Sequence, residues 1–140
     1  MKKASFLLGL LLTLGCQNKA PVDVNQLQGY WEIDFVQQEE EVFKNTPSQP
    51  LYDFYSLKNG KGLYKKVAPL VDGRFQTSQS SIPFEIIEEN ATFKIQFNSR
   101  WNTWQKTIKK LDTQQLILYH QERDFYYKRP SIDKTALPND

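Results

Sequence analysis

The stretch LYDFYSLKNGKGLYKKV, residues 51–67, decides the fold. Its two halves, 51–58 and 61–67, flank Asn59-Gly60, and these two residues tolerate the positive φ that a two-residue hairpin turn demands at both positions. A β-hairpin is expected here. Upstream, residues 30–36 alternate, with Trp31, Ile33 and Phe35 on one face and Tyr30, Glu32 and Asp34 on the other, which is the period of a half-buried strand. Between the two lie a weaker strand at 39–44, centred on Val42 and Phe43, and a proline-bearing loop at 45–50.

Downstream, 69–80 reads as a long connection holding Asp72-Gly73 and a short strand near 74–77. Ile82, Phe84 and Ile86 then share a face, Glu89-Asn90 turns the chain, and Phe93, Ile95 and Phe97 share a face within 91–98. A strand over 103–111 carries Trp104 and Ile108 inward with Lys106 between them, and a bulge near Lys109-Lys110 is needed to bring Leu111 inward. Asp112-Thr113-Gln114 turns it into a strand marked by Leu116 and Leu118. After Gln121-Glu122 the last strand spans 123–129, with Phe125 and Tyr127 on one face, and Pro130 stops it. No segment sustains a helical period. Eight or nine short strands at hairpin spacing make an all-β, antiparallel meander, in a barrel or a sandwich.

The first residues decide where that domain works. A basic start at Met1-Lys2-Lys3, an apolar run over 4–14 and a small Gly15 are followed by polar Gln17-Asn18-Lys19, the layout of a secretory signal. The run of about eleven residues falls short of the roughly twenty that cross a bilayer as a helix. Residues 1–15 are therefore expected to be removed. Cys16, the one cysteine of the chain, sits at the cut, and Gly15-Cys16 resembles the end of a bacterial lipoprotein signal. The resemblance implies that Cys16 is acylated and holds the protein to a membrane, expected to be the outer membrane of a Gram-negative bacterium, with 16–26 as lipidated cysteine and tether. Thr13 stands where that family usually has leucine, so cleavage by an ordinary signal peptidase competes.

Loss of Lys2 and Lys3 would leave 16 basic and 16 acidic residues. No electrostatic case for nucleic acid remains. Catalytic material is scarce as well: His120 is the single histidine, Cys16 is spoken for, and no Cys/His cluster offers a metal site or a nucleophile pair. No enzyme, metal or cofactor is expected. Glu39-Glu40-Glu41 and the lysines over 58–66 read as solvated faces.

Gly29-Tyr30-Trp31, behind Leu27-Gln28, resembles the Gly-x-Trp signature that opens the first strand of lipocalins, and small lipid-anchored lipocalin-like proteins share the plan of leader, tether and meander. The resemblance covers 27–130, leaves 131–140 as a polar tail, and lacks the middle Thr-Asp-Tyr-type motif, so lipocalin-like is the fitting term. It implies a closed barrel in which Trp31 packs at the base under Arg129. Such a barrel either holds one small ligand or is filled by its own side chains. The first reading makes the protein a binder of a small apolar or amphipathic ligand, with Trp104, Lys106, Tyr127 and Arg123 as candidate contacts and a carboxylate headgroup as the partner of Lys106. The second takes the inward set Trp31, Phe35, Phe84, Phe93, Phe97, Trp104 and Phe125 as a solid core, and the protein as an accessory subunit that meets an envelope partner through its outer loops.

Overall fold

The computed structural model describes residues 21–44, 50–70, 74–77 and 80–131, the side chain of Phe75 excepted. The expected signal at 1–15, Cys16, and most of the loop at 45–50 and of the tail at 131–140 lie outside the described residues. One turn of 3₁₀ helix at Val24–Leu27 precedes the strands β1 (Gly29–Gln38), β2 (Glu41–Lys44), β3 (Tyr52–Lys58), β4 (Lys61–Pro69), β5 (Phe75–Thr77), β6 (Ile82–Glu89), β7 (Thr92–Asn98), β8 (Thr103–Leu111), β9 (Gln115–His120) and β10 (Arg123–Lys128). Antiparallel pairing runs β1-β3-β4-β6-β7-β8-β9-β10, and β10 returns to β1. Eight strands thus close into a lipocalin-like, up-and-down barrel.

The two strands beyond those eight are rim pieces. β2 folds back on the outer half of β1, pairing Phe35 with Lys44 and Gln38 with Glu41, where β3 no longer reaches. β5 does the same for the end of β4, pairing Val67 with Thr77. Three turns carry positive φ at both central residues, Asn59-Gly60, Asn90-Ala91 and Gln121-Glu122, the sense that matches the twist of the flanking strands. The turn expected at Glu89-Asn90 lies one residue later, because Glu89 still pairs with Thr92.

Bulges decide which side chains enter the barrel. On β8 the register shifts between Ile108 and Lys110, so that Leu111 comes inward opposite Leu116. On β1 a shift between Ile33 and Phe35 pairs Phe35 with Tyr126 and Val36 with Phe125. That extra residue corrects the simple alternation: Phe35 leaves the core face and stacks on Tyr126 outside, ring centroids 4.2 Å apart, and Val36 takes its place within. Gly62 is the other local constraint, since a Cβ there would lie 1.7 Å from the Ser56 carbonyl oxygen and 2.9 Å from the inward Phe84 ring.

The lower barrel is filled. Trp31, Tyr55, Leu57, Phe84, Ile95, Phe97, Ile108, Leu111, Leu116 and Leu118 form one buried cluster, and Tyr55, Phe84 and Phe97 meet edge-on or tilted at 5.6–6.5 Å, the geometry that ring quadrupoles favour. Residues 21–26, expected as tether, are part of this packing. Asp23 caps the 3₁₀ turn by accepting from the Asn25 N–H at 3.0 Å, Val22 packs on the core and Leu27 is fully buried.

Arg129 closes the base. Its guanidinium lies 3.6 Å over the Trp31 ring, and it donates to the carbonyls of Gln26 at 2.6 Å, Tyr30 at 3.1 Å and Thr113 at 3.3 Å. Trp31 Nε1 donates to the Leu27 carbonyl at 2.8 Å. Gly29 sits at φ +108°, and a Cβ there would come within 3.1 Å of Arg129 Nη1, so the glycine of Gly-x-Trp serves both the backbone and the cation. Burial lowers the pKa of this arginine. Urea denaturation tests the clamp: Trp31→Ala should cost about 3–5 kcal/mol through the cavity it leaves, Arg129→Lys should lose the planar stacking, and a double-mutant cycle should return a coupling near 1 kcal/mol. A coupling below a few tenths would mean that the contact does not hold the barrel shut.

Candidate functional site: a polar cup at the barrel mouth

Above the filled half the interior opens into a cavity of about 420 Å³. Its apolar wall is Ile33, Val36, Phe43 and Phe125, and its polar groups are Lys44, Lys66, Lys106 and Tyr127. The β1 bulge makes the room, by turning a valine inward where regular alternation would place Phe35. β2 supplies the outer wall, because Phe43 pairs with Val36 and so shares its face.

Beneath the cup lies a charged group buried among aromatic rings. Asp53 faces Trp31 across one ladder and Lys66 across the other, and is only 2% exposed. Its Oδ1 is paired with Lys66 Nζ and accepts from the Tyr64 hydroxyl at 3.2 Å. The Tyr127 hydroxyl also bears on this carboxylate, while the buried Tyr55 hydroxyl has no hydrogen-bond partner among the described residues. Burial first, and then the Asp53 charge, push the phenols of Tyr55, Tyr64 and Tyr127 above their usual range. All three stay neutral at physiological pH.

Lys106 is the second cation of the interior. β8 carries it inward opposite Ile95, and its ammonium lies 5.7 Å from the Phe97 ring and 5.4 Å from the Phe125 ring. It forms no ion pair among the described residues. Burial lowers its pKa, with the attraction of Asp53 opposing and the repulsion of Lys66 adding to the effect. A cation held by ring faces alone is incompletely compensated.

Of the four candidates from sequence, Lys106 and Tyr127 line the cup together. Trp104 is inward but stands beside it, stacked on Phe97 at 5.1 Å. Arg123 sits exposed at the rim, where its Nε donates to Gln38 Oε1 at 3.0 Å beside a smaller cavity of about 270 Å³ shared with Val36, Phe43 and Phe125. Asp53 and Lys66 were not anticipated. Asp53 lies between Tyr52 and Phe54 on a strand buried on both faces, and once the Asn59-Gly60 turn is set, Lys66 follows as its partner by register.

Other features are less suited to holding a ligand. A larger cleft of about 660 Å³ opens at the base, between Pro21-Val22 and the lower ends of β7 and β8, with Phe93 and Ile108 as its floor. The ladder between those strands stops at Lys94 and Thr107, and the cleft's Lys109 is already tied to Asp124 at 2.6 Å. His120 Nδ1 is engaged with the Gln105 carbonyl at 2.9 Å. Among the described residues no group of His, Cys, Asp or Glu is arranged to hold a metal ion, and no helix is long and apolar enough to cross a membrane.

Strand order, closure and a cup above a filled base define a lipocalin-like barrel. No protein-family model matches the chain, and no curated protein does. Among solved structures it is similar to a lipocalin-like protein from Bacteroides uniformis, with 15% identity, TM-score 0.46, and 74% of this chain and 98% of that one covered. It is also similar to an uncharacterized protein from Bacteroides eggerthii, with 11% identity, TM-score 0.47 and coverage of 74% and 99%. A third is apocrustacyanin C2, with 14% identity, TM-score 0.46 and coverage of 84% and 68%.

The state of Lys106 can be read from stability without any ligand. Replacing an interior cation that has no ion pair among the described residues by an apolar side chain of similar length should stabilise the barrel, so Lys106→Met should raise the urea midpoint and, with it, the unfolding free energy by about 1 kcal/mol or more. A lower midpoint would mean that the ammonium is well compensated where it stands.

Proposed function

We propose that this protein is a non-catalytic, membrane-anchored lipocalin-like binding protein that holds a small apolar or amphipathic ligand in its cup. The observation that carries this reading is the cavity of about 420 Å³ with an apolar wall and, inside it, the Lys106 ammonium, which has no ion pair among the described residues. Ligand sites typically combine such a wall with a few convergent polar groups. An apolar chain would lie against Val36, Phe43 and Phe125, and a carboxylate would lie against Lys106. Acylation of Cys16 would hold the barrel at the outer membrane of a Gram-negative bacterium, since two or more acyl chains anchor stably.

A second reading makes the rim a contact for an envelope protein. Trp101, at the turn between β7 and β8, is 85% exposed and is stacked by Arg100 at 5.0 Å, and exposed Trp and Arg are favoured anchors of interfaces. One titration separates the two. A fluorescent fatty acid should bind the purified barrel and be displaced by unlabelled alkyl carboxylates, and Lys106→Met should weaken that binding about tenfold, the loss of roughly 1.4 kcal/mol from a charge-assisted contact. Absence of binding would move the function to the rim.

The anchor is tested separately. Cys16→Ala should shift the protein expressed in a Gram-negative host from the detergent-extracted fraction to the soluble one, and intact mass should lose the acyl increment. An unchanged distribution with an unmodified N-terminus would discard lipidation.

A further inference from the structure

Resting on the reading of the cup as a ligand site, we infer that Asp53 sets the charge of the ligand, so that the cup takes a head group bearing one negative charge and rejects one bearing two. Lys66 from β4 and Lys106 from β8 line the cup, and Asp53 from β3 lies beneath it. Asp53 and Lys66 face each other across a ladder and are paired. Lys106 lies against two ring faces and pairs with no carboxylate among the described residues. Lys44 also reaches the cavity, from β2, but it is exposed, so solvent screens its charge.

One ligand anion placed against Lys106 brings Asp53, Lys66 and Lys106 to electrical balance. A neutral head group leaves the ammonium as it is. A dianion adds a second charge close to Asp53, a carboxylate that is 2% exposed and whose one ion pair among the described residues is with Lys66. Like charges that share a poorly hydrated site repel strongly. Lys66 does not relieve this, because turning toward the ligand would leave Asp53 alone. The phenols around Asp53 are neutral and add no positive charge. The single acid buried under the cup is therefore a specificity residue, although it does not line the cavity itself.

The test uses probes of one chain length that differ only in the head: decanol, decanoate, decanesulfonate and decyl phosphate, each below its aggregation concentration, at pH 8, where the phosphate is a dianion. Each is titrated against the barrel loaded with a fluorescent fatty acid. Decanoate and decanesulfonate should displace the reporter at concentrations at least tenfold lower than decanol or decyl phosphate do. Asp53→Asn, which removes the buried negative charge, should bring decyl phosphate to within about threefold of decanoate. Displacement by all four at similar concentrations, or best displacement by the phosphate, overturns the inference while leaving a ligand cup in place. Failure of the reporter to bind overturns both the cup and the inference. The head-group series on the unaltered protein stands even where Asp53→Asn does not fold.

Discussion

A guanidinium flat on an indole holds this barrel together. Arg129 follows the last strand and Trp31 lies near the start of the first, so their contact joins the two ends of the meander where a sheet would otherwise expose an edge. The three carbonyls that Arg129 reaches belong to three different segments, Gln26 before β1, Tyr30 within it, and Thr113 in the turn between β8 and β9. A lysine has neither the plane nor the number of donors to do this. The base closed in this way is densely packed, and the irregularities that open the interior lie toward the mouth, on β1 and β2.

Those irregularities give the interior its character. A regular β1 would send Phe35 inward and fill the cup with an aromatic ring; the bulge before it sends in Val36 and stacks Phe35 on Tyr126 outside. A bulge also bends the strand, and β1 parts from β3 toward the mouth and takes β2 as its partner there. The hollow is thus made by one inserted residue, and its wall by the short strand that follows. The charges inside it come from positions where the ladder's own register leaves no choice of face.

Much of this was legible in the chain. Hairpins were marked by Asn59-Gly60, alternation placed Phe84, Phe93, Ile95 and Phe97 together, and the β8 bulge could be argued from the need to turn Leu111 inward. Gly29, Trp31 and Arg129 could be named through resemblance before any distance was known. The β1 bulge was hidden, because the residues 30–36 alternate perfectly and nothing local announces an extra residue; it is imposed by pairing with β10, far along the chain. Asp53 was hidden for a different reason. β3 is buried on both faces, with Tyr52 and Phe54 covered outside as Tyr55 and Leu57 are inside, so it has no polar face against which an inward acid would stand out. The 3₁₀ turn was read as tether because a single turn has no period, though the Asp23 cap was there to be seen.

Both ends of the described chain leave the barrel on its closed side. Pro21 lines the basal cleft together with the β6–β7 turn, and Pro130 follows the arginine that seals the base. The molecule is therefore polar in the manner of a vessel with its handles beneath it. An attachment made at either end of the described chain, at Pro21 or after Pro130, starts on the closed side and away from the opening. Immobilisation through an end, unlike coupling through the lysines around the rim, keeps the mouth in contact with solution.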